Sequence, residues 1–293
     1  MSSHWQKRIK VQSKLLIGYD VERLPGRVPG EKWVGRKVPE DTTPRFLERI
    51  AEVHKDVGVP ATIFMLGCNI EANLGGLEKC LASGLFEIAQ HTQDHYPLKT
   101  VLEETGSRVY LRGLDFNRIE EQIAKPVELL KKHLGVTCKG ITAPYTYYRG
   151  LGDRPDILEI VARHGLVYTR SYGRNSLDYF PLDWSVQPFF YDRQGFPEIL
   201  EIPVQGWIDA QWRHDNGWDK QAEYLTYLKE VVDTHAERGI VWAHLQHDWT
   251  SLLCDSDLDW TRKFLEYAAN KFDTQTYYDY YKTKITEIAK ETA

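Results

Sequence analysis

Long apolar runs are missing from this sequence. Nowhere do 18 consecutive apolar residues occur, and the early stretch Leu15–Ile17 is far too short for a signal-peptide core or a membrane span. The expectation is a soluble, cytoplasmic protein with no membrane partner. Cysteine is sparse as well. Cys68, Cys80, Cys138 and Cys254 lie far apart and form no CxxC pair, which excludes a disulfide scaffold and fits buried or half-buried thiols in a reducing compartment. Excess positive charge is also absent. Lys and Arg total 37 against 42 Asp and Glu, a net charge of −5, so overall charge does not draw the chain to a phosphate backbone and no nucleic-acid partner is expected. Finally, no low-complexity linker divides the chain.

What is present fits a globular protein with a sizeable core: 42% hydrophobic and 27% charged residues in 293. At roughly 150 residues per domain this length suggests two, but α/β barrels run to about 250 residues as one. A single catalytic domain over 1–293 is expected, with a helical tail from residue 258. The Pro/Gly-rich segment 24–44 reads as a long ordered loop, suited to a lid. Beyond it, apolar strands (Lys14–Gly18, Ala61–Leu66, Phe86–Ala89, Cys138–Ile141, Leu166–Thr169, Ile199–Val204, Gly239–Leu245) alternate with helical patterns at Arg45–Val57, Ile70–Ser83, Asn117–Leu134, Pro155–His164 and Asp219–Glu237. Such alternation implies parallel strands with helical crossovers. An open doubly wound sheet and a closed barrel fit it equally well. In both, chemistry gathers where strands end, which singles out Asp20, His91, Pro144 and His244. The aromatic run Tyr277–Tyr281 reads as a packed C-terminal helix.

His91-Thr-Gln-Asp-His95 places two imidazoles four residues apart, one helical turn, so that both can face a common point. A borderline ion such as Zn²⁺ suits two nitrogens and a carboxylate oxygen, with positions left for water and substrate. Tyr19-Asp20-Val21-Glu22 supplies the carboxylates. In an extended segment Asp20 and Glu22 project to one side, so one can bind metal while the other takes a proton from water. Hydrolysis needs both roles.

Taken in order, these segments resemble the polysaccharide-deacetylase (NodB-homology) superfamily of metal-dependent amide hydrolases, over about Lys14–Trp249. The resemblance implies a distorted (β/α)7 barrel and one divalent ion, most readily zinc. It implies Asp20 as base, and Glu22, His91 and His95 as ligands. The opening motif is a variant, because Val21 stands where the family has a second aspartate. The reverse assignment, with Asp20 as third ligand and Glu22 as base, therefore stays open. Gly140-Ile-Thr-Ala-Pro-Tyr145 resembles the segment that contributes a backbone N–H, here at Tyr145, to the oxyanion. The family's arginine two residues before that proline is replaced by Thr142, leaving Arg149 or Arg23 to orient the base. In the closing motif His244 is the expected general acid, with His247 as fallback.

The family chemistry is hydrolysis of a non-peptide C–N bond. Removal of an acyl group from an amino sugar or related small molecule comes first, with Arg149, Trp184 and Trp207 expected to bind substrate through charge and flat aromatic faces. The alternatives are cyclic amide or ureide hydrolysis, of the allantoinase or cyclic-imidase kind, and an inactive carbohydrate-binding protein. A homo-oligomer is compatible with the resemblance.

Overall fold

The computed structural model describes residues 12–23, 37–104 and 108–291; most of the expected lid, residues 24–36, lies outside them. Seven strands, β1 (Lys14–Val21), β2 (Ala61–Met65), β3 (Phe86–Gln90), β6 (Gly140–Tyr148), β7 (Tyr168–Arg174), β9 (Phe196–Glu201) and β10 (Val241–His247), form the parallel wall, ordered β10-β1-β2-β3-β6-β7-β9. The short strand β8 (Phe189–Tyr191) runs antiparallel along β9, and β11 (Asp273–Gln275) adds to β1. A two-stranded hairpin, β4 (Val101–Glu104) and β5 (Arg108–Leu111), stands apart. This is the distorted (β/α)7 barrel that the resemblance implied.

The distortion has a location. β9 and β10 would be neighbours in a closed barrel, but glutamine side chains join them instead of a ladder. Gln187 Oε1 accepts Val241 N–H at 2.8 Å, and its Nε2 donates to the Val241 carbonyl at 3.3 Å. Gln205 Oε1 accepts Ala243 N–H at 3.1 Å while its Nε2 donates to Val186 O at 2.8 Å. Buried backbone groups must find partners, and here side-chain amides supply them.

Period-2 alternation sorts the wall into two faces. On β1, Leu15, Ile17, Tyr19 and Val21 pack outward against the helices. Leu16 lies inside the barrel with Phe64, Ala89, Tyr168, Leu200, Val241 and Ala243, and by the same parity Gly18 and Asp20 face inward. The helix Thr42–Val57 covers this wall with Phe46, Leu47, Ile50, Ala51 and Val53, and ends at Gly58 in the left-handed conformation (φ 75°) that a C-terminal cap requires. The helix Phe116–Leu134 buries Ile119, Ile123 and Leu130 and stops at Gly135 in the same way.

The barrel floor is closed by the C-terminal helix Tyr277–Glu291. Tyr277 and Tyr280 enter the inner cluster. The helix start is held by Thr62 Oγ1, which accepts Tyr277 N–H at 3.0 Å, and by Glu87 Oε2, which accepts Tyr278 N–H at 2.9 Å. The Tyr-rich tail is thus packed, as expected. Two local expectations change. Ile70–Ser83 divides into Gly67–Ile70, a 3₁₀ turn and Leu74–Ala82, and β6 runs past Ile141 to Tyr148 through an irregular register. Among the described residues no helix is long and apolar enough to cross a membrane.

Candidate active site

Asp20 and Glu22 leave the C-terminal end of β1 into a buried cluster, each 3% exposed. Glu22 Oε2 lies 3.1 Å from His91 Nε2 and 2.8 Å from His95 Nε2. Its other oxygen accepts Trp249 Nε1–H at 2.9 Å and stands 3.7 Å from His247 Nε2. His91 Nδ1 donates to the Thr142 carbonyl at 3.1 Å, which leaves Nε2 to face the cluster; a carbonyl behind the ring is the usual way to fix a metal-binding tautomer. The two histidines do not ride a helix. They sit in a loop after β3, and left-handed backbone at Thr92 (φ 64°) and His95 (φ 57°) turns the second imidazole toward the first.

Burial would push the Glu22 carboxyl up, but the His95 and His247 charges and hydrogen bonds from His91 and His95 hold it well below the usual carboxylate range. Burial lowers His95, with Glu22 opposing. One carboxylate oxygen and two imidazole nitrogens, all within 4.8 Å of one another, make the donor set of an open catalytic metal site. Around an ion at about 2.0–2.1 Å such donors sit roughly 3.4 Å apart, so the observed spacings need only slight spreading. The residues fit a divalent ion.

Asp20 takes a different partner. Its Oδ1 is bonded by the guanidinium of Arg170, and its Oδ2 lies 3.7 Å from His91 Nε2. The arginine beside Asp20 is therefore Arg170, on β7, and neither Arg149 nor Arg23. Arg149 is exposed and lies over the Tyr148 ring at 5.2 Å. Arg23 Nε donates to Pro39 O at 2.8 Å. The sequence did carry a signal for Arg170: an arginine inside the otherwise buried strand Tyr168–Arg174.

The expected acid, His244, points the wrong way. Ala243, Leu245 and His247 share the inner face of β10, so His244 faces the helices, with ring centroids 5.2 Å from Trp242 and 5.0 Å from Phe264. His247, the fallback, is paired in register with Asp20 at the strand ends. Its Nδ1 bonds Asp209 Oδ1 at 2.5 Å, and Asp209 also accepts the His247 N–H at 2.9 Å and the Thr250 hydroxyl. Burial alone would lower His247, but Asp209 and then Glu22 hold it at about 10. Asp209, missed in the sequence, opens the helix Asp209–Asn216; an acidic residue at a helix start was its only mark.

Outward-facing His244 has a consequence of its own. Burial pushes it down to about 4, and does the same to His54, whose ring bonds the Tyr19 hydroxyl at 2.8 Å and the Val59 carbonyl at 2.6 Å. An unfolded histidine titrates near 6.5, so stability from these two is complete above that pH and is lost as pH falls toward 4. Each steepens the loss by up to about 1.4 kcal/mol per pH unit. Denaturant unfolding followed from pH 7 to 4.5 is expected to show a shallower decline in His244→Phe; identical slopes would place His244 in a solvated setting.

The cluster opens into a pocket lined by Ala143, Tyr145, Thr146, Arg174, Phe180, Ile208, Ala210, Gln211, Leu245 and Trp249. Tyr145 stands there in left-handed backbone (φ 68°), its ring 5.0 Å from that of His95 and its carbonyl accepting Arg174 Nε–H at 2.9 Å. The residues expected to bind substrate do not line it. Trp184 stacks on His235 at 4.2 Å, and Trp207 supports the wall from behind, against Tyr179 and the cluster of Phe180, Val204, Ile208 and Leu245. Among the described residues, Trp249 is the tryptophan that faces the pocket.

Fold and cluster together define the class: an α/β barrel carrying a divalent-metal site of the hydrolase type at the C-terminal ends of its strands. Residues 39–168 match the family described as polysaccharide deacetylase, and the chain's opening motif, ahead of that stretch, reads Asp20-Val21-Glu22. No curated protein matches the sequence. Solved structures with the same fold include a putative polysaccharide deacetylase from Mycobacterium smegmatis (14% identity, 95% of this chain and 92% of that one, TM-score 0.67). A probable polysaccharide deacetylase from Pseudomonas aeruginosa PAO1 (15%, 93% and 91%, 0.68) and Puue allantoinase (16%, 95% and 91%, 0.70) are similar to a like degree.

Proposed function

We propose that the protein is a metal-dependent hydrolase that removes an acyl group from the nitrogen of an amino sugar or a related small substrate. The observation that carries this reading is a single buried cluster in which Glu22, His91 and His95 converge while Asp20 and His247 flank it, each held by an oppositely charged partner. A divalent ion on Glu22, His91 and His95, zinc by its donor set, would supply Lewis acidity toward a scissile carbonyl and acidify a water. Asp20, fixed by Arg170, takes the proton of the attacking water. The backbone N–H of Tyr145 helps to hold the developing oxyanion. His247, fixed by Asp209, whose carboxylate favours the protonated imidazole, gives a proton to the departing nitrogen. Buried acceptor atoms on the pocket wall, Gln211 Oε1 and Thr146 Oγ1, have no hydrogen-bond partner among the described residues and suit substrate hydroxyls.

One observation favours a second reading, ring opening of a cyclic amide or ureide. The pocket wall is largely apolar, with Phe180, Ile208, Leu245 and Ala143, and the tryptophans expected to stack on a sugar lie off it. A panel decides between the two: amine release from N-acetylated amino sugars against ring opening of hydantoin, allantoin and succinimide, with metal per chain measured on the same samples. Deacetylation alone supports the first reading, and ring opening alone replaces it with the second. A metal-loaded protein inert on the whole panel but retaining saccharide affinity would make it a binding protein.

A further inference from the structure

Below the cluster the barrel interior is not filled as an apolar core would be. Arg170 lies there fully buried. It reaches up to Asp20, and its Nε donates at 2.9 Å to Thr142 Oγ1, whose own hydroxyl donates to the Arg170 carbonyl at 3.0 Å. The guanidinium lies 4.2 Å from the centre of the Phe64 ring and 5.8 Å from that of Tyr277, the first residue of the floor helix. Gly18 makes the room: a Cβ at that position would stand 2.5 Å from Arg170 Nη1 and 3.1 Å from the Tyr277 hydroxyl. Thr142 and Arg170 are direct register partners on β6 and β7. The guanidinium therefore enters from one strand beyond the position where the family's motif would place it.

Burying an arginine and an aspartate is costly even when they are paired, and an apolar pair of like volume commonly packs as well or better. The barrel has nonetheless given up a side chain at residue 18 and turned a threonine hydroxyl and an aromatic ring toward this one group. We propose that Arg170 is the positioning residue for Asp20 and that Tyr277 braces it from below, so that the C-terminal helix is a working part of the site. The proposal rests on the reading of Asp20 as the base.

The test compares full-length variants for kcat, KM, metal per chain and melting temperature on the substrate that the panel identifies. Arg170→Met is expected to lower kcat about 100-fold, the scale of a misplaced catalytic group, with KM and metal content within about twofold of wild type. Adding Thr142→Arg to that variant returns a guanidinium from the neighbouring strand and is expected to recover about tenfold in kcat. Tyr277→Leu is expected to lower kcat about tenfold. Tyr280→Leu opens a comparable gap in the same floor without an aromatic contact to Arg170, and is expected to lose melting temperature but not kcat.

Three results would overturn the proposal: kcat of Arg170→Met within about threefold of wild type, a fall in kcat that merely follows lost metal and is not rescued by Thr142→Arg, or equal behaviour of Tyr277→Leu and Tyr280→Leu. If Arg170→Met does not fold, Arg170→Lys, which keeps the charge and loses the Nε bond to Thr142, carries the same comparison. An inert wild type would instead sink the reading of the site. The pairing would then be read from melting temperatures of Asp20→Asn, Arg170→Met and their combination, where a double loss smaller than the sum supports the pair and an additive loss rejects it.

Discussion

Replacing both His91 and His95 by alanine is expected to empty the site, taking bound metal from near one per chain to near zero by elemental analysis. Activity should fall with it by roughly 1,000-fold or more, since Lewis-acid stabilisation is worth several kcal/mol and each 1.4 kcal/mol is a decade. The geometry makes the argument specific. Glu22 Oε2 sits between the two Nε2 atoms at 3.1 and 2.8 Å, so the double variant leaves a single carboxylate from the set, and one carboxylate does not retain zinc against water. The fold has reason to survive the change. Glu22 keeps its bond from Trp249 Nε1 at 2.9 Å and its proximity to His247 at 3.7 Å. Equal metal content in variant and wild type would reject this ligand set, whatever other site the protein had.

The second large effect is expected at His247. Asp209→Asn keeps the shape of the residue behind the imidazole and removes its charge. A positioned acid contributes about 100- to 10,000-fold, so His247→Gln is expected to lower kcat within that range, while His244→Phe stays close to wild type. The pH profile carries the sign. Burial lowers His247, but Asp209 and then Glu22 raise it, to about 10. A general acid works only while protonated, so activity is lost on the alkaline side as pH rises through its pKa. Removing the Asp209 charge lowers that pKa, and the alkaline limb of kcat/KM is expected to move to lower pH in Asp209→Asn. An unmoved limb would mean that another group donates the proton, and a collapse in His244→Phe with an active His247→Gln would restore the first sequence expectation.

The contrast between the two histidines shows where sequence reading stops. His244 and His247 both follow an apolar strand, and nothing local separates them. Parity does: Ala243 and Leu245 face inward, and His247 continues their face while His244 lies on the other. That parity depends on which residue of β10 pairs with Asp20, a long-range register set across more than 200 residues. Asp20 and Glu22 were legible because their alternation is contained within one short segment. His91 and His95 were legible by spacing although the reason differed, since a loop with two left-handed residues, not a helix, brings the rings together. Arg170 was hidden because its partner lies across the barrel, with β2, β3 and β6 between them in the sheet order. Trp184 and Trp207 misled because aromatic residues in loops between strands can support a wall as readily as line a pocket.

The glutamine seam between β9 and β10 has a further consequence for how this wall ends. A ladder of backbone bonds is indifferent to side chains, whereas a seam held by Gln187 and Gln205 exists only while those two amides are present. Without them, the Val241 and Ala243 N–H groups would form the open margin of a β-sheet, a template on which a strand from another molecule can add. The two glutamines therefore cover this margin as well as fasten it, since each occupies an N–H that an added strand would need.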